Sequence, residues 1–271
     1  TTAVFTGVGG QIAPAAGTTL ERIRFENSSF QIGSSTAASE VTLIGTPEVK
    51  VDVGVAATIR SRLTATNLTI RGSGMTVDNQ LNLWPQSGSN ALTGTVQLVD
   101  RVRVELAFAS SMGSAAVQVQ NGSSLDLRGY GVSFANPLSL AGAGVTGTGW
   151  ALRFASGDTV TGGIRLTGLA AIRLGDTAAV AASIAGAITG TGGLSYTGVG
   201  ASGLNLTGRN TYSGTTTFDL ATGDVRVGVA SEGSVGAVAA ATAMALRLNG
   251  ISHWVMWEMA SLFEHIGTVQ D

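Results

Sequence analysis

Five carboxylates are the residues of this sequence whose chemistry could support catalysis. They are Asp100, Glu105, Asp126, Asp158 and Asp176. Paired Asp and Glu side chains cleave glycosidic bonds when the fold holds them a few ångströms apart. These five residues are isolated from one another in the sequence, so a pair forms only if distant segments stack on each other. A carbohydrate-active enzyme that uses carboxylates from neighbouring turns is therefore the enzymatic alternative for this chain.

Other catalytic chemistries lack the residues they need. Cysteine is absent, and His253 and His265 stand twelve residues apart near the end of the chain. A serine nucleophile has no evident base, and the histidine spacing suits no common zinc motif. Gly142, Gly144 and Gly147 match a dinucleotide fingerprint formally, but strand-like residues follow them instead of a helix. We therefore expect no metal, no cofactor and no catalytic residue, and we interpret the chain as non-enzymatic.

Three residues are candidates for contact with a glycan. Trp84 lies in LWPQSGSN, a loop-like sequence in which an aromatic ring could stack on a sugar. Arg101 and Arg103 alternate with valines in DRVRVE, which predicts that both guanidinium groups share the exposed face of a strand. The structural alternatives are a tryptophan packed beside Pro85 and arginines that only keep the surface soluble.

The composition describes a folded chain of low charge. Among 271 residues are 39 glycines and 12% charged residues, and the net charge is −2. Glycine has no Gly-x-y period, which excludes collagen, and the ordinary apolar content with low net charge excludes disorder. The basic residues are scattered and form no stripe that could follow a phosphate backbone, so we expect no nucleic-acid partner. The absence of cysteine weakly favours export, and the start at Thr1 without a signal peptide indicates a mature or excised fragment.

Short alternating strands that end in glycine recur along the chain. The copies are VTLIG (41–45), LTIRG (68–72), LDLRG (125–129), LSLAG (138–142), IRLTG (164–168), LSYTG (194–198) and LRLNG (246–250). A strand-and-turn unit too small to bury its own apolar face must stack on copies of itself. The repeats therefore predict a solenoid, with Leu, Val and Ile inside and Thr, Ser, Asn and Arg outside.

The stretch GAITGTGGLSYTGVGASGLNLTGRNTYSGTTTF (186–218) resembles the passenger-associated repeat of bacterial autotransporters. The family pattern is GxGGLxKxGxGxLxLxGxNTYxGxTTxxxGxLxVG, and the chain follows it through Gly228. Tyr196 and Thr197 depart from it, since they stand where Thr and Lys are usual. The resemblance covers roughly residues 20–230. It implies a right-handed parallel β-helix displayed at the surface of a Gram-negative cell.

From the repeats and the resemblance together we expect an all-β domain over residues 1–233 with on the order of ten turns. Its expected function is that of a surface-displayed or secreted passenger, an adhesin or structural stalk at the bacterial cell surface or outside the cell. The expected partner is a host or neighbouring-cell surface, either protein or glycan. Contact with the outer membrane is expected only through a barrel that this chain does not contain. The receptor and the oligomeric state stay open.

Residues 234–271 form an atypical C-terminal segment. GAVAAATAMALRLNGISHWVMWEMASLFEHIGTVQD resembles a membrane segment of ABC exporters, although its longest uncharged run, 233–246, is too short to span a bilayer. An exporter-related function is thus a remote alternative, and it would require a phosphate-binding loop of the form GxxxxGK followed by Ser or Thr, which the sequence lacks.

The second half of this segment has a helical period. Apolar residues predict an amphipathic helix over 251–266, whereas Met244, Leu246 and Leu248 also alternate as in a strand. Two interpretations follow: a cap over the last turn of the solenoid, with Trp254 and Trp257 buried, or a foreign exporter fragment.

Overall fold

The computed structural model of the chain describes residues 1–74, 79–86, 88–128, 131–145, 149–155, 157–175, 178, 180–227, 238–242 and 245–248. Side chains are described for these residues except 200, 201 and those beyond 217. This part of the chain contains twenty-five β-strands and one short 3-10 helix, Ala109–Met112.

The strands, in chain order, are β1 (Thr2–Phe5), β2 (Gln11–Ile12), β3 (Thr18–Phe25), β4 (Phe30–Ile32), β5 (Glu40–Val51), β6 (Ala56–Ile59), β7 (Arg62–Thr66), β8 (Thr69–Arg71), β9 (Asn79–Leu83), β10 (Ala91–Thr93), β11 (Thr95–Val99), β12 (Val102–Leu106), β13 (Ala116–Val119), β14 (Ser124–Leu127), β15 (Ser133–Phe134), β16 (Leu138–Gly142), β17 (Leu152–Phe154), β18 (Thr159–Val160), β19 (Ile164–Leu174), β20 (Ala181–Ile184), β21 (Ile188–Gly190), β22 (Leu194–Leu206), β23 (Thr216–Val227), β24 (Val238–Thr242) and β25 (Ala245–Leu248).

All strand pairings among the described residues are parallel. Thr2 pairs with Arg22, whereas Thr69 pairs with Gln97, so partners on successive turns are 20 to 28 residues apart. Parallel neighbours separated by one such connection wind the chain into a β-solenoid of about nine turns. This confirms the predicted all-β solenoid, and the variable offset explains why the sequence repeats are unevenly spaced.

Each turn contributes strand residues to three parallel stacks. Stack B contains β1, β8, β11, β13, β16 and β21, stack C contains β2, β4, β6, β9, β12, β14, β17 and β24, and stack A contains β7, β10, β15, β18, β20 and β25. The long strands β3, β5, β19, β22 and β23 each continue from one stack into the next. The 3-10 helix lies where the chain passes through stack A between β10 and β15.

Inward side chains form apolar columns along the solenoid axis. One column in stack C consists of register partners that are each at most 1% exposed: Ala57, Leu81, Val104, Leu125, Leu152, Ile172 and Tyr196. The strands alternate buried and half-buried residues, as in β9 and β6. The period of two in the sequence thus gives each turn one apolar face, and neighbouring turns bury it from above and below.

Glycines at two corners allow the backbones of adjacent turns to approach closely. A methyl group on Gly186 would lie 1.9 Å from the carbonyl oxygen of Gly162, and one on Gly208 would lie 2.2 Å from that of Gly186. At the second corner, a methyl group on Gly192 would lie 2.1 Å from the carbonyl oxygen of Gly168. Backbone occupies the space that a side chain would need. Of the glycines that end the repeated strands, Gly72 and Gly142 are crowded too, whereas the nearest atom to a methyl group on Gly168 would be 3.8 Å away.

Buried asparagines connect turns at two corners of the solenoid, Asn90 before stack A and Asn210 before stack B. The amide group of Leu63 donates to Asn90 Oδ1 at 2.8 Å, and Asn90 Nδ2 donates to the carbonyl oxygen of Ser111 at 2.7 Å. Asn210 repeats the first contact by accepting from the Ile188 amide at 3.0 Å. Each asparagine thus satisfies backbone groups that the corner leaves without a strand partner.

Tyr212 completes the structural role of the sequence NTYSG. It is 1% exposed, and its hydroxyl lies 2.6 Å from Thr216 Oγ1. Together with Asn210 and the close approach of Gly214 to Gly192, it makes this motif a device for stacking one turn on the next.

Parallel pairing continues past residue 233. Strand β24 pairs with the first half of β23, and β25 pairs with its second half, so Leu248 is in register with Val227. Residues 245–248 are therefore a strand, one of the two structures that their sequence permits. The predicted helix over 251–266 lies outside the described residues, and the division of the chain at 233 stays a prediction.

If close backbone approach is the reason for the corner glycines, Gly186→Ala should destabilise the protein. The added methyl group would force the backbones of adjacent turns apart, at a cost of about 1–3 kcal/mol, typical of overpacking. Thermal unfolding followed by circular dichroism should show a melting temperature lower by several degrees. Gly10→Ala is the matched control, because nothing lies within 4 Å of the Gly10 Cβ position. Equal melting temperatures for the two variants would contradict this explanation.

Candidate functional site

The outward face of stack C carries a row of polar side chains along the solenoid axis. Because the strands stay in register, each outward position lies directly over the same position of the previous turn. We call this the stack C polar row, and it consists of Gln31, Thr58, Asn82, Glu105, Asp126, Arg153, Arg173 and Thr197.

Hydrogen bonds connect members of this row across several turns. Asn82 Nδ2 donates to Thr58 Oγ1 at 3.1 Å. Gln80, on the same strand as Asn82, donates to Asn82 Oδ1 at 2.7 Å and to Glu105 Oε2 at 3.3 Å. Arg128 donates to the same Glu105 oxygen at 2.8 Å. The face is therefore a connected polar network, in which one side chain holds the next.

The fold brings two of the predicted carboxylates together. Glu105 in β12 and Asp126 in β14 are register partners on adjacent strands. Arg153, on the next strand, donates from Nε and Nη2 to the two Asp126 oxygens at 2.8 and 2.6 Å. The side chains of Glu105 and Asp126 are only 2% and 0% exposed. Each carboxylate is thus buried and neutralised by an arginine, which is the arrangement of a structural ion pair.

Burial dominates the electrostatics of Asp126. It raises the pKa of this carboxyl group above its ordinary value, and the hydrogen bonds and charge of Arg153 oppose the rise. The neighbouring charge of Glu105 raises the Asp126 pKa further. Repulsion between Glu105 and Asp126 opposes the pairing of β12 with β14. The bidentate contact of Arg153 with Asp126 offsets this repulsion. Arg153 is itself held by Trp150, whose ring centroid lies 5.4 Å from Arg153 Cζ.

Asp158 is a third buried carboxylate, and it lies at a corner. Its Oδ1 accepts from the Val132 amide at 2.8 Å and its Oδ2 accepts from the Ala155 amide at 2.6 Å. Burial raises its pKa to about 6, although both hydrogen bonds lower it. Asp158 therefore serves two backbone groups. Asp100 lies in the turn before β12, where it pairs with Arg71 away from Asp126, and Asp176 lies outside the described residues.

The structure does not bring the three predicted glycan-contact residues together. Trp84 follows β9, whereas Arg101 precedes β12, so the length of a strand, on the order of 17 Å, separates them. Arg101 lies in a turn with φ of 65°, not on the strand, so it does not share a strand face with Arg103 as predicted. Arg103 lies on β12 and donates to Gln80 Oε1 within the polar network. Glycan contact by these residues stays a prediction.

Trp84 has a neighbour that sequence reasoning missed. The guanidinium carbon of Arg60 lies 5.3 Å from the Trp84 ring centroid, and Arg60 Nε donates to Gln31 Oε1 at 3.0 Å. The three residues come from successive turns of stack C. The separation of 24 residues between Arg60 and Trp84 falls within the spacing of the turns, and this is the signal that could have identified Arg60.

A second charged row lies on stack B. Arg24, Lys50 and Arg71 are register partners on successive turns. Asp52 lies 2.8 Å from Arg24 and 3.4 Å from Lys50, and Glu48 lies 3.3 Å from Arg71. The stacked cations are thus balanced by carboxylates on the same face.

The remaining candidates for chemistry have no support in the described part of the chain. No group of three His, Cys, Asp or Glu residues there could hold a metal ion, and no helix there is long and apolar enough to cross a membrane. Gly142 ends strand β16, and strand β17 follows, so no helix offers its amides to a phosphate at the formal fingerprint.

The fold defines the class of this protein as a parallel β-solenoid. No family model and no solved structure matches the chain. A curated protein described as an uncharacterized ABC transporter ATP-binding protein, from Haemophilus influenzae, is 73% identical over 37 residues. This match covers 14% of the chain and only 6% of the transporter. A match this short shows no family for the chain, and the autotransporter resemblance of the solenoid stays a proposal.

Breaking the buried ion pair should destabilise the solenoid. Arg153→Met leaves Asp126 as a buried carboxylate without its partner, and we expect the free energy of unfolding to fall by about 3–5 kcal/mol. Combining it with Asp126→Leu should restore most of the loss, because no unpaired charge remains. Arg165→Met, at an exposed position of β19, is the control. Chemical denaturation of the wild type and the three variants measures these free energies of unfolding. Equal losses in Arg153→Met and in the double variant would argue against a structural pair.

The raised pKa of Asp158 predicts a pH dependence of stability. The folded protein holds the proton up to about pH 6, whereas the unfolded chain releases it near the ordinary value of 3.8. Since the folded state binds more protons in this window, the contribution of Asp158 to stability falls as the pH rises from about 4 to about 6. The melting temperature of the wild type should therefore fall relative to that of Asp158→Asn as the pH rises over this range. A constant difference would contradict the assignment.

Proposed function

We propose that this chain is a non-enzymatic, passenger-type β-solenoid that acts as a stalk and attachment surface outside a bacterial cell. The observation that carries the proposal is the parallel pairing that continues from β1 to β25 over about nine turns. At about 4.8 Å per turn such a rod extends about 40 Å. Its length grows with every turn added, and this property suits a stalk.

The residues of the autotransporter-like motif support this proposal through their structural roles. Asn210 and Gly214 contact the preceding turn, while Tyr212 is buried in the core with its hydroxyl against Thr216. A motif used in this way extends the solenoid and does not build a pocket. The resemblance supplies the proposed location, at the bacterial cell surface or outside the cell, and the proposed partner, a host or neighbouring-cell surface.

The carbohydrate-active enzyme is the second candidate, because Glu105 and Asp126 are adjacent. Their burial weighs against it, since a general acid or nucleophile must reach its substrate. Arg128 and Arg153 also keep both carboxylates in ion pairs. We therefore propose that the pair is structural. An exporter function is not proposed, because the segment shared with the transporter is only 37 residues long.

An attachment assay tests the proposed function. Beads coated with the purified chain should bind to cultured epithelial cells or to bacterial cells several-fold more than beads coated with the heat-unfolded chain. The same preparation should release no reducing sugar from a panel of polysaccharides. Beads that bind no better than the unfolded control would contradict the attachment function. Sugar release that disappears in Glu105→Gln would instead establish the enzyme.

A further inference from the structure

Arg60 differs from most arginines of this solenoid in how its charge is balanced. Six others pair with a carboxylate: Arg22, Arg24, Arg62, Arg71, Arg128 and Arg153. Within the described ranges, the contacts of Arg60 are to the neutral side chains of Gln31 and Trp84. The Arg60 guanidinium therefore keeps its positive charge uncompensated on the outward face of stack C.

The position of this charge is fixed from both sides. Gln31 on the preceding turn accepts from Arg60 Nε at 3.0 Å, and the ring of Trp84 on the following turn lies 5.3 Å from Arg60 Cζ. The bond to Gln31 uses Nε, and the two Nη groups of this half-buried side chain have no acceptor among the described residues. A planar donor fork that is already immobilised loses little conformational entropy when it binds an oxyanion.

Trp84 adds an aromatic surface beside this charge. Its side chain is half-buried, and its ring centroid lies 5.3 Å from Arg60 Cζ. The indole Nε1 is buried, so the ring and not its N–H is what Trp84 offers to a ligand. The Arg60 fork thus favours an oxyanion, and the neighbouring ring favours a carbohydrate that carries it.

Hydroxyl and amide side chains lie beside the Arg60–Trp84 contact. Thr58 precedes Arg60 by two residues and Asn82 precedes Trp84 by two residues, so both lie about 7 Å away along the strands. They are half-buried and joined by a 3.1 Å hydrogen bond. Such groups pair readily with the hydroxyls of a sugar.

We propose that the Arg60–Trp84 stack binds the carboxylate of an acidic carbohydrate, and that Thr58 and Asn82 contact the neighbouring sugar hydroxyls. The inference rests on the proposed attachment function, because it names the chemical class to which the solenoid attaches. The proposed site keeps Trp84 from the predicted glycan contacts and uses Arg60 in place of Arg101 and Arg103.

The test is calorimetric titration of the full chain with a short oligogalacturonate. We expect binding that weakens as salt is added, and that is lost when the carboxyl groups of the oligomer are methyl-esterified. Arg60→Gln should weaken binding by about tenfold or more, since a charge-assisted hydrogen bond is removed. Arg165→Gln is the matched control, because Arg165 is exposed on β19. This variant should bind oligogalacturonate as the wild type does.

Two further variants separate binding from folding. Arg60→Lys keeps the charge but loses the planar fork, and it should bind more weakly than the wild type while melting at nearly the same temperature. Trp84→Leu removes the ring that lies against the Arg60 guanidinium, and it should also weaken binding. These variants keep the test decisive if Arg60→Gln alone fails to fold.

Three results would overturn the inference. They are no binding of oligogalacturonate to the wild type, equal binding by Arg60→Gln and Arg165→Gln, and equal or tighter binding of an oligo-glutamate peptide. If coated beads still attach to cells while one of these results is found, the proposed attachment function stands and the carboxylate site is wrong. If the beads also fail to attach, both are wrong.

Discussion

The in-register parallel hydrogen bonding between turns is the constraint on which the rest of this structure depends. It places equivalent residues of successive turns about 4.8 Å apart, so each position has its own counterpart as its nearest neighbour. Inside the solenoid this favours columns of Leu, Ile and Val, such as that from Ala57 to Ile172. At the corners it presses backbone against backbone, which leaves room only for glycines such as Gly186, and buried asparagines satisfy the polar groups there.

The same register creates an electrostatic problem on the outer faces, because it also stacks charges. Glu105 and Asp126 lie on adjacent strands, where two carboxylates would repel each other. Arginines from adjacent turns solve the problem: Arg128 binds Glu105, and Arg153 binds Asp126 through both oxygens. A planar guanidinium reaches across one turn and bonds to a carboxylate in a fork, which ammonium groups do not match. This gives a physical reason for a chain with a single lysine, Lys50, to be rich in arginine.

A surface built from compensated pairs has consequences for function. Glu105 and Asp126, the two candidate carboxylates that adjacent strands bring together, are buried and are bound by arginines. The proposed ligand site instead uses the charge of Arg60, which is held between Gln31 and Trp84 and lies near hydroxyl and amide groups. In the proposed stalk, the core and corners then supply length and rigidity, while the side of the rod supplies contact.

The sequence by itself determined the class of fold. Alternating apolar residues followed by glycine, as in IRLTG and LSYTG, give a strand with one apolar face, and only stacking of such units buries that face. The offset between turns varies from 20 to 28 residues, so the sequence did not determine which turns are neighbours. Only the tertiary structure decided that Glu105 lies beside Asp126, that Arg101 falls in a turn, and that Arg60 stacks on Trp84. The physical reason is that these contacts run along the solenoid axis, between residues more than twenty positions apart, where local propensity and periodicity carry no information.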